Sequence, residues 1–323
     1  MEKLLYINLY QNSKQEFEKR IKNAYKILEN CTLCPHNCHV NRLEDKRGVC
    51  KTGALPKVYS WLNHHGEEPP ISGTRGSGTI FFANCNMSCI YCQNYEFSQG
   101  GGGSETEPED LAKIMLELQH MGCHNINFVS PTHVASQILK AIYLAIPMGL
   151  NIPLVYNTGG YDSIETLVLF DGVIDIYLPD MRYSDEKTAL KYSGAPKYPF
   201  YNRLAIKEMF RQVGNAQIDE KGIIQRGLII RHLVLPNNLS GTSEIMEFLS
   251  KEVSKEVHIS LMSQYFPCFK AENDPILARK ITREEYEVAK AEMALYGLKN
   301  GWTQDEHGLD RFAGVNIKPS ITP

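Results

Sequence analysis

Three cysteines within eight positions, set at the end of an apolar run, constrain this chain more than any other feature. The run Thr79-Ile80-Phe81-Phe82-Ala83 leads directly into Asn84-Cys85-Asn86-Met87-Ser88-Cys89-Ile90-Tyr91-Cys92. A short β-branched and aromatic run of this kind reads as a buried strand, so the three thiols share the loop at its carboxyl end. In parallel α/β folds, reactive groups gather at that end. Three thiolates from one loop can cap three corners of a [4Fe-4S] cube and leave the fourth iron open to a small molecule. The competing readings are a zinc site short of one ligand and chance spacing.

Seven of the nine cysteines lie between positions 31 and 92. In a chain of 323 residues, that clustering favours metal ligation by reduced thiols over a disulfide scaffold. The upstream group, Cys31-Thr32-Leu33-Cys34-Pro35-His36-Asn37-Cys38 followed by Cys50, supplies four thiolates. Such a set suits either structural zinc or a fully ligated [4Fe-4S] cluster, and makes His36 and His39 unnecessary as replacement ligands. Iron would relay electrons or organise substrate; zinc would stabilise an N-terminal lobe with little core of its own. Cys123 and Cys268 read as small buried hydrophobes.

After residue 70, short apolar runs alternate with segments of helical period. Strands are expected at 79–83, 125–129, 152–156, 173–178, 228–235 and 257–261. Leu111, Ile114, Met115, Leu118 and Met121 recur at helical spacing behind a capping box of Thr106 and Glu109. Further helices are expected at 134–146, 163–170, 197–213 and 243–253, with Thr282 and Glu285 capping a last helix that ends at Gly297. Strands apolar on both faces and separated by helices imply a parallel sheet. Six such units fit an open partial barrel and a doubly wound sheet alike.

Charge argues against some functions. With 34 Lys and Arg against 37 Asp and Glu, and no basic block, the chain carries no electrostatic footprint for nucleic acid. The longest apolar stretch, 141–156, is interrupted by Pro147, Gly149, Asn151 and Pro153, which argues against a membrane span. The first ten residues lack the apolar core of a secretion signal, so a cytoplasmic protein is expected. Neither 73–78 nor 100–103 has the residues of a phosphate-binding loop, despite their glycines.

The spacing Cys85-x3-Cys89-x2-Cys92, with Tyr91 before the last cysteine, resembles the signature of the radical S-adenosylmethionine (radical SAM) superfamily. More narrowly, 67–79, 125–133 and 260–265 are similar to an uncharacterised branch named after pyruvate formate-lyase activating enzyme. The resemblance implies an α/β fold, a partial (β/α)6 barrel with a small N-terminal four-cysteine metal lobe. It divides the chain into 1–70 (lobe), 71–270 (barrel) and 271–323 (C-terminal helix and tail). It also implies a catalytic [4Fe-4S] cluster on Cys85, Cys89 and Cys92, and S-adenosylmethionine bound at the open iron. Reductive cleavage there would give methionine and a 5'-deoxyadenosyl radical that abstracts hydrogen.

The same resemblance points to further residues. Asp180 and Arg182, in Leu178-Pro179-Asp180-Met181-Arg182, stand where the activating enzymes carry Asp-x-Lys and are expected to orient S-adenosylmethionine. Relatives hold the methionyl amine with Gly-Gly-Glu; here Ser130-Pro131-Thr132-His133 occupies that place, leaving the hydroxyls of Ser130 and Thr132 as candidates. His133 reads equally as a loop histidine or a functional one. Asn157, after the third strand, is placed to line the adenosine site, and Arg231, inside an apolar strand, calls for a bound carboxylate. The implied activity is that of an oxidoreductase resembling an activase for a glycyl-radical enzyme, served by a reductant such as flavodoxin or ferredoxin. The alternatives are an enzyme acting on a small molecule or peptide and, from another class, a non-catalytic iron-sulfur electron carrier.

Overall fold

The computed structural model of the chain describes residues 4–304. The part of the expected C-terminal tail at 305–323 lies outside the described residues. Helices α1 (Leu5–Asn12) and α2 (Lys14–Glu29) come first, followed by β1 (Lys57–His64), a single turn α3 (Pro69–Ser72) and β2 (Ser77–Phe82). The cysteine loop then runs into α4 (Tyr95–Ser98) and the two-residue β3 (Ser104–Glu105). Beyond it, the order is α5 (Pro108–His120), β4 (Ile126–Val129), α6 (Ala135–Ala145), β5 (Leu154–Thr158), α7 (Ile164–Leu169) and β6 (Ile176–Pro179). The chain closes with α8 (Glu186–Ser193), α9 (Tyr198–Val213), β7 (Gln217–Ile218), β8 (Ile224–Leu233), α10 (Thr242–Phe248), β9 (His258–Met262), α11 (Arg283–Leu295) and β10 (Gly301–Thr303).

The six expected strands are all present, as β2, β4, β5, β6, β8 and β9, and every neighbouring pair among them is parallel. Their order across the sheet is their order along the chain. A doubly wound sheet reverses direction at a switch point, and this sheet does not, so of the two architectures it takes the barrel type. β1 pairs antiparallel with β2 on one side and β10 parallel with β9 on the other. The ends of the path, β3 and β10, are not hydrogen-bonded to each other, which leaves the barrel partial. Through β1 the sheet extends upstream of residue 70.

Every residue of β2 is buried, as expected of a strand covered on both faces. α6 turns Ile138, Leu139 and Ile142 inward, while α2 turns Phe17, Ala24 and Leu28 toward the same core. α1, α2, α8 and β1 were not anticipated, although the buried residues of α2 keep helical spacing. The expected capping box of Thr106 and Glu109 does not form. Pro108 occupies the first position of α5, and Thr106 lies too early, its N–H bonded to Pro56 O at 2.9 Å and its hydroxyl to Ser104 O at 3.0 Å. The capping box of Thr282 and Glu285 on α11 does form. β5 and β6 begin two or three residues later than expected: Pro153 precedes β5, and Val173 completes a turn on Phe170 O before β6. Among the described residues, no helix is long and apolar enough to cross a membrane.

Candidate functional site

β2 delivers the cysteine loop to the carboxyl end of the sheet, and neighbouring elements fix its path. Ser88 and Ile90 donate backbone N–H groups to the carbonyls of Ser193 and Tyr192 at the end of α8, at 2.8 and 2.9 Å. Gln99 donates to Cys89 O at 2.8 Å, and Asn86 to Tyr161 O at 2.7 Å. His133 Nε2 bonds Ala83 O at 2.9 Å, immediately ahead of the loop. Burial keeps that imidazole neutral, lowering it to about 4. His133 is therefore a buried brace rather than a loop histidine facing solvent.

Cys85, Cys89 and Cys92 are all free and line one cavity of about 370 Å³. Burial pushes Cys85 up to about 12, with Cys89 adding to the effect, and burial also raises Cys92. Groups that donate to sulfur surround them: Met87 N–H reaches Cys85 at 3.3 Å, Ser193 Oγ reaches Cys89 at 3.0 Å and Arg182 Nη1 reaches Cys89 at 3.6 Å. Ser98 Oγ lies 3.2 Å from Cys92 Sγ. Donors aimed at buried sulfurs favour thiolates, and metal ligation is what makes buried thiols give up their protons. The donor set thus fits an iron-sulfur cluster held by these three residues. No group of three or more His, Cys, Asp or Glu side chains among the described residues is arranged for one metal ion, whereas cubane ligands each bind a different iron.

The same cavity holds a charged network. Asp180 stands at the end of β6 and Arg231 inside β8, where the two backbones form an isolated bridge. Arg231 Nε donates to Asp180 Oδ1 at 2.8 Å and its Nη2 to Asn157 Oδ1 at 2.6 Å. Arg182 Nη2 donates to Asp180 Oδ2, so one carboxylate binds two guanidiniums. From α9, Tyr198 OH lies 2.8 Å from Gly159 O and 3.0 Å from Asp180 O, and Asn202 donates to Gly160 O and Asp180 O. α9 thereby holds the ends of β5 and β6 in register.

The structure brings Ser130, Asn157, Asp180, Arg182 and Arg231 to the cavity of the three cysteines. It does not bring Thr132 there. That hydroxyl is buried behind the strand ends and donates to Asp162 Oδ1 at 2.7 Å, within a group that also holds Tyr156 and Thr158. Ser130 reaches the cavity because its backbone takes a φ of 57° as it leaves β4, its N–H bonded to Asn157 O. Cys123 and Cys268 are buried, as expected.

Two cavity residues escaped the sequence reading. Glu67 and Glu68 enter from the turn after β1, and Glu67 Oε2 lies 3.7 Å from Arg231 Nη1. Burial raises both carboxyls, Glu68 to about 7. Adjacent glutamates ahead of Pro69-Pro70 were visible in the sequence, but with β1 unrecognised nothing indicated that they turn inward. Cys31, Cys34, Cys38 and Cys50 line a separate, smaller cavity, which places all seven clustered cysteines in two groups.

Comparison with known proteins completes the picture. Residues 79–249, more than half of the chain, match the family described as the radical SAM superfamily. An uncharacterized protein of Methanocaldococcus jannaschii is 33% identical over 292 residues, spanning 86% of this chain and 78% of its own. Among solved structures, Streptococcus suis SuiB bound to S-adenosylmethionine aligns with 13% identity and a TM-score of 0.47, over 73% of this chain and 52% of that one. The chain therefore spans about half the length of SuiB. The FeFe-hydrogenase maturase HydG from Carboxydothermus hydrogenoformans aligns with 13% identity and a TM-score of 0.47, over 95% and 70% of the two chains. By the family region that covers more than half of its length, this chain belongs to the radical SAM superfamily.

Proposed function

We propose that the chain is a radical SAM enzyme of the activase-like kind, which abstracts a hydrogen atom from a glycyl-radical enzyme partner after receiving an electron from a flavodoxin- or ferredoxin-like reductant. One observation carries the catalytic core of this reading. Three free cysteines on the β2 loop share a cavity with Asp180, Arg182 and Arg231, which stand at or near the carboxyl ends of β6 and β8. A [4Fe-4S] cluster bound there would supply, once reduced, the electron for cleavage of S-adenosylmethionine to methionine and a 5'-deoxyadenosyl radical that would take a hydrogen atom from the substrate. In this reading Cys85, Cys89 and Cys92 hold three irons. Arg182 and Arg231 offer planar donors to a carboxylate, Asp180 keeps both guanidiniums aligned, and Asn157 and Ser130 add polar contacts along the β4 and β5 side. The activase assignment itself rests on the sequence segments that resemble that branch.

The experiment is anaerobic reconstitution with iron and sulfide, reduction, and assay for 5'-deoxyadenosine. Failure to form it from S-adenosylmethionine in a cluster-loaded, reduced protein would sink the radical reading. Incorporation of deuterium into 5'-deoxyadenosine from a deuterated glycyl-radical enzyme supports the activase assignment, and transfer from a small molecule or free peptide instead refutes it.

A further inference from the structure

The second group of cysteines shares its cavity with a buried cation that pairs with no carboxylate among the described residues. Arg42 is only 1% exposed. Its Nε and Nη2 donate to Gly53 O at 3.0 and 2.9 Å, and its Nη1 to His133 O at 2.8 Å. The same Nη1 points at Cys31 Sγ from 3.9 Å. Among the described residues, no carboxylate pairs with it. A guanidinium keeps its proton at any accessible pH, and burying that charge against carbonyls alone is costly. What Arg42 faces is the cavity of Cys31, Cys34, Cys38 and Cys50.

The loop around these cysteines is shaped to the sulfurs. All four cysteines line one small cavity together with Arg42. Val49 N–H donates to Cys38 Sγ at 3.4 Å. At Gly48, a Cβ would fall 2.6 Å from that sulfur, closer than atoms can approach, so only glycine lets the backbone pass. The chain from Cys31 to Cys38 is also closed on itself, with His39 N–H bonded to Cys31 O and Cys31 N–H to Val40 O. Four neutral thiols would give Arg42 no counter-charge; four thiolates on a metal give a net anion.

We propose that Cys31, Cys34, Cys38 and Cys50 hold an anionic metal-thiolate centre and that Arg42 is its buried counter-cation. A cubane cluster, whose four thiolates each bind a different iron, gives this net anion, and a zinc tetrathiolate, which the side-chain positions do not preform, is the alternative the test separates. The site does not depend on radical chemistry at Cys85, Cys89 and Cys92.

The test uses the full chain with Cys85, Cys89 and Cys92 all changed to Ala, so that the first cysteine loop contributes no metal and failure of the radical reading leaves the result intact. The protein is reconstituted anaerobically with iron and sulfide in one arm and with zinc in the other. About four irons or about one zinc per chain is expected, and the arm that fills identifies the metal. Stoichiometric metal in neither arm overturns the centre. In the same background, Arg42→Gln is expected to lose its metal to a chelator at least tenfold more readily, while Arg42→Lys, which keeps the charge, stays within about threefold of the parent. Equal retention by the Gln variant and the parent overturns the counter-cation role. Should Arg42→Gln fail to fold, the folded Arg42→Lys protein decides: retention of the metal supports the role of charge, and loss overturns it.

Discussion

Asp180 and Arg231, 51 residues apart, meet across the ends of β6 and β8, where Arg231 Nε donates to Asp180 Oδ1 at 2.8 Å. Because Arg182 occupies the other oxygen of the same carboxylate, Asp180 is the hinge of the cavity's charge balance. Its removal leaves the partly buried Arg182 guanidinium without its carboxylate, while Arg231 keeps the longer contact to Glu67 at 3.7 Å. Asp180→Ala is therefore expected to destabilise the fold by about 3–5 kcal/mol, measured by urea unfolding, whereas an exposed pair would change it by less than about 1 kcal/mol.

Arg182→Ala tests the other side of that carboxylate. It is expected to weaken S-adenosylmethionine binding at least tenfold, about 1.4 kcal/mol, with cluster iron unchanged. Equilibrium titration followed through the cluster's spectrum measures this, and unchanged affinity would return Arg182 to a structural role.

Replacing Cys85, Cys89 or Cys92 singly with Ala is expected to abolish 5'-deoxyadenosine formation, because each would hold one iron of the cluster. Wild-type rates in a triple Ala variant would remove these residues from catalysis.

A hydrogen-bonded chain runs from Tyr91 OH through Tyr183 OH and Ser193 Oγ to Cys89 Sγ, the last two links at 2.7 and 3.0 Å. A donor to a ligating sulfur stabilises the more negative, reduced state. Ser193→Ala is expected to make the cluster's reduction potential more negative by roughly tens of millivolts, the equivalent of about one hydrogen bond. A redox titration followed by electron paramagnetic resonance reads the shift, and a potential at or above the parent's contradicts it.

Asp175 links the N-terminal helix to the sheet by accepting from Leu5 N–H and Leu154 N–H, both at 3.0 Å. Burial raises its carboxyl to about 7, above the unfolded value, so the folded state binds the proton more tightly. Its contribution to stability is present at low pH and fades as pH rises from about 4 through 7. Asp175→Asn should flatten that slope in urea unfolding. It should also cost about 1–3 kcal/mol, because an amide offers only one oxygen to the two N–H groups. An unchanged slope would show that Asp175 does not titrate over this range.

Much of the fold was legible because its signals are local. The six strands were readable as apolar runs, and the monotonic βα alternation narrowed the fold to two architectures. The Thr282 cap was readable because both partners lie within one turn of helix, while Thr106 misled because Pro56 O, just ahead of β1, recruited its backbone. Glu67, Glu68 and Ser193 carried no local signal. Each reaches the site from an element, β1 or α8, whose place depends on packing against distant chain.

The sequence by itself determined the chemistry available: seven clustered cysteines in two groups, an Asp and an Arg just beyond one expected strand and an Arg within another. Those are properties of residue type and spacing along the chain. Only the tertiary structure decided which groups meet. It turned Thr132 toward Asp162 and Ser130 toward the cavity, and it set Arg42 against Cys31 rather than a carboxylate. The physical reason is that side-chain direction at a strand end follows from loop backbone angles and the packing of nonlocal neighbours, neither of which periodicity encodes.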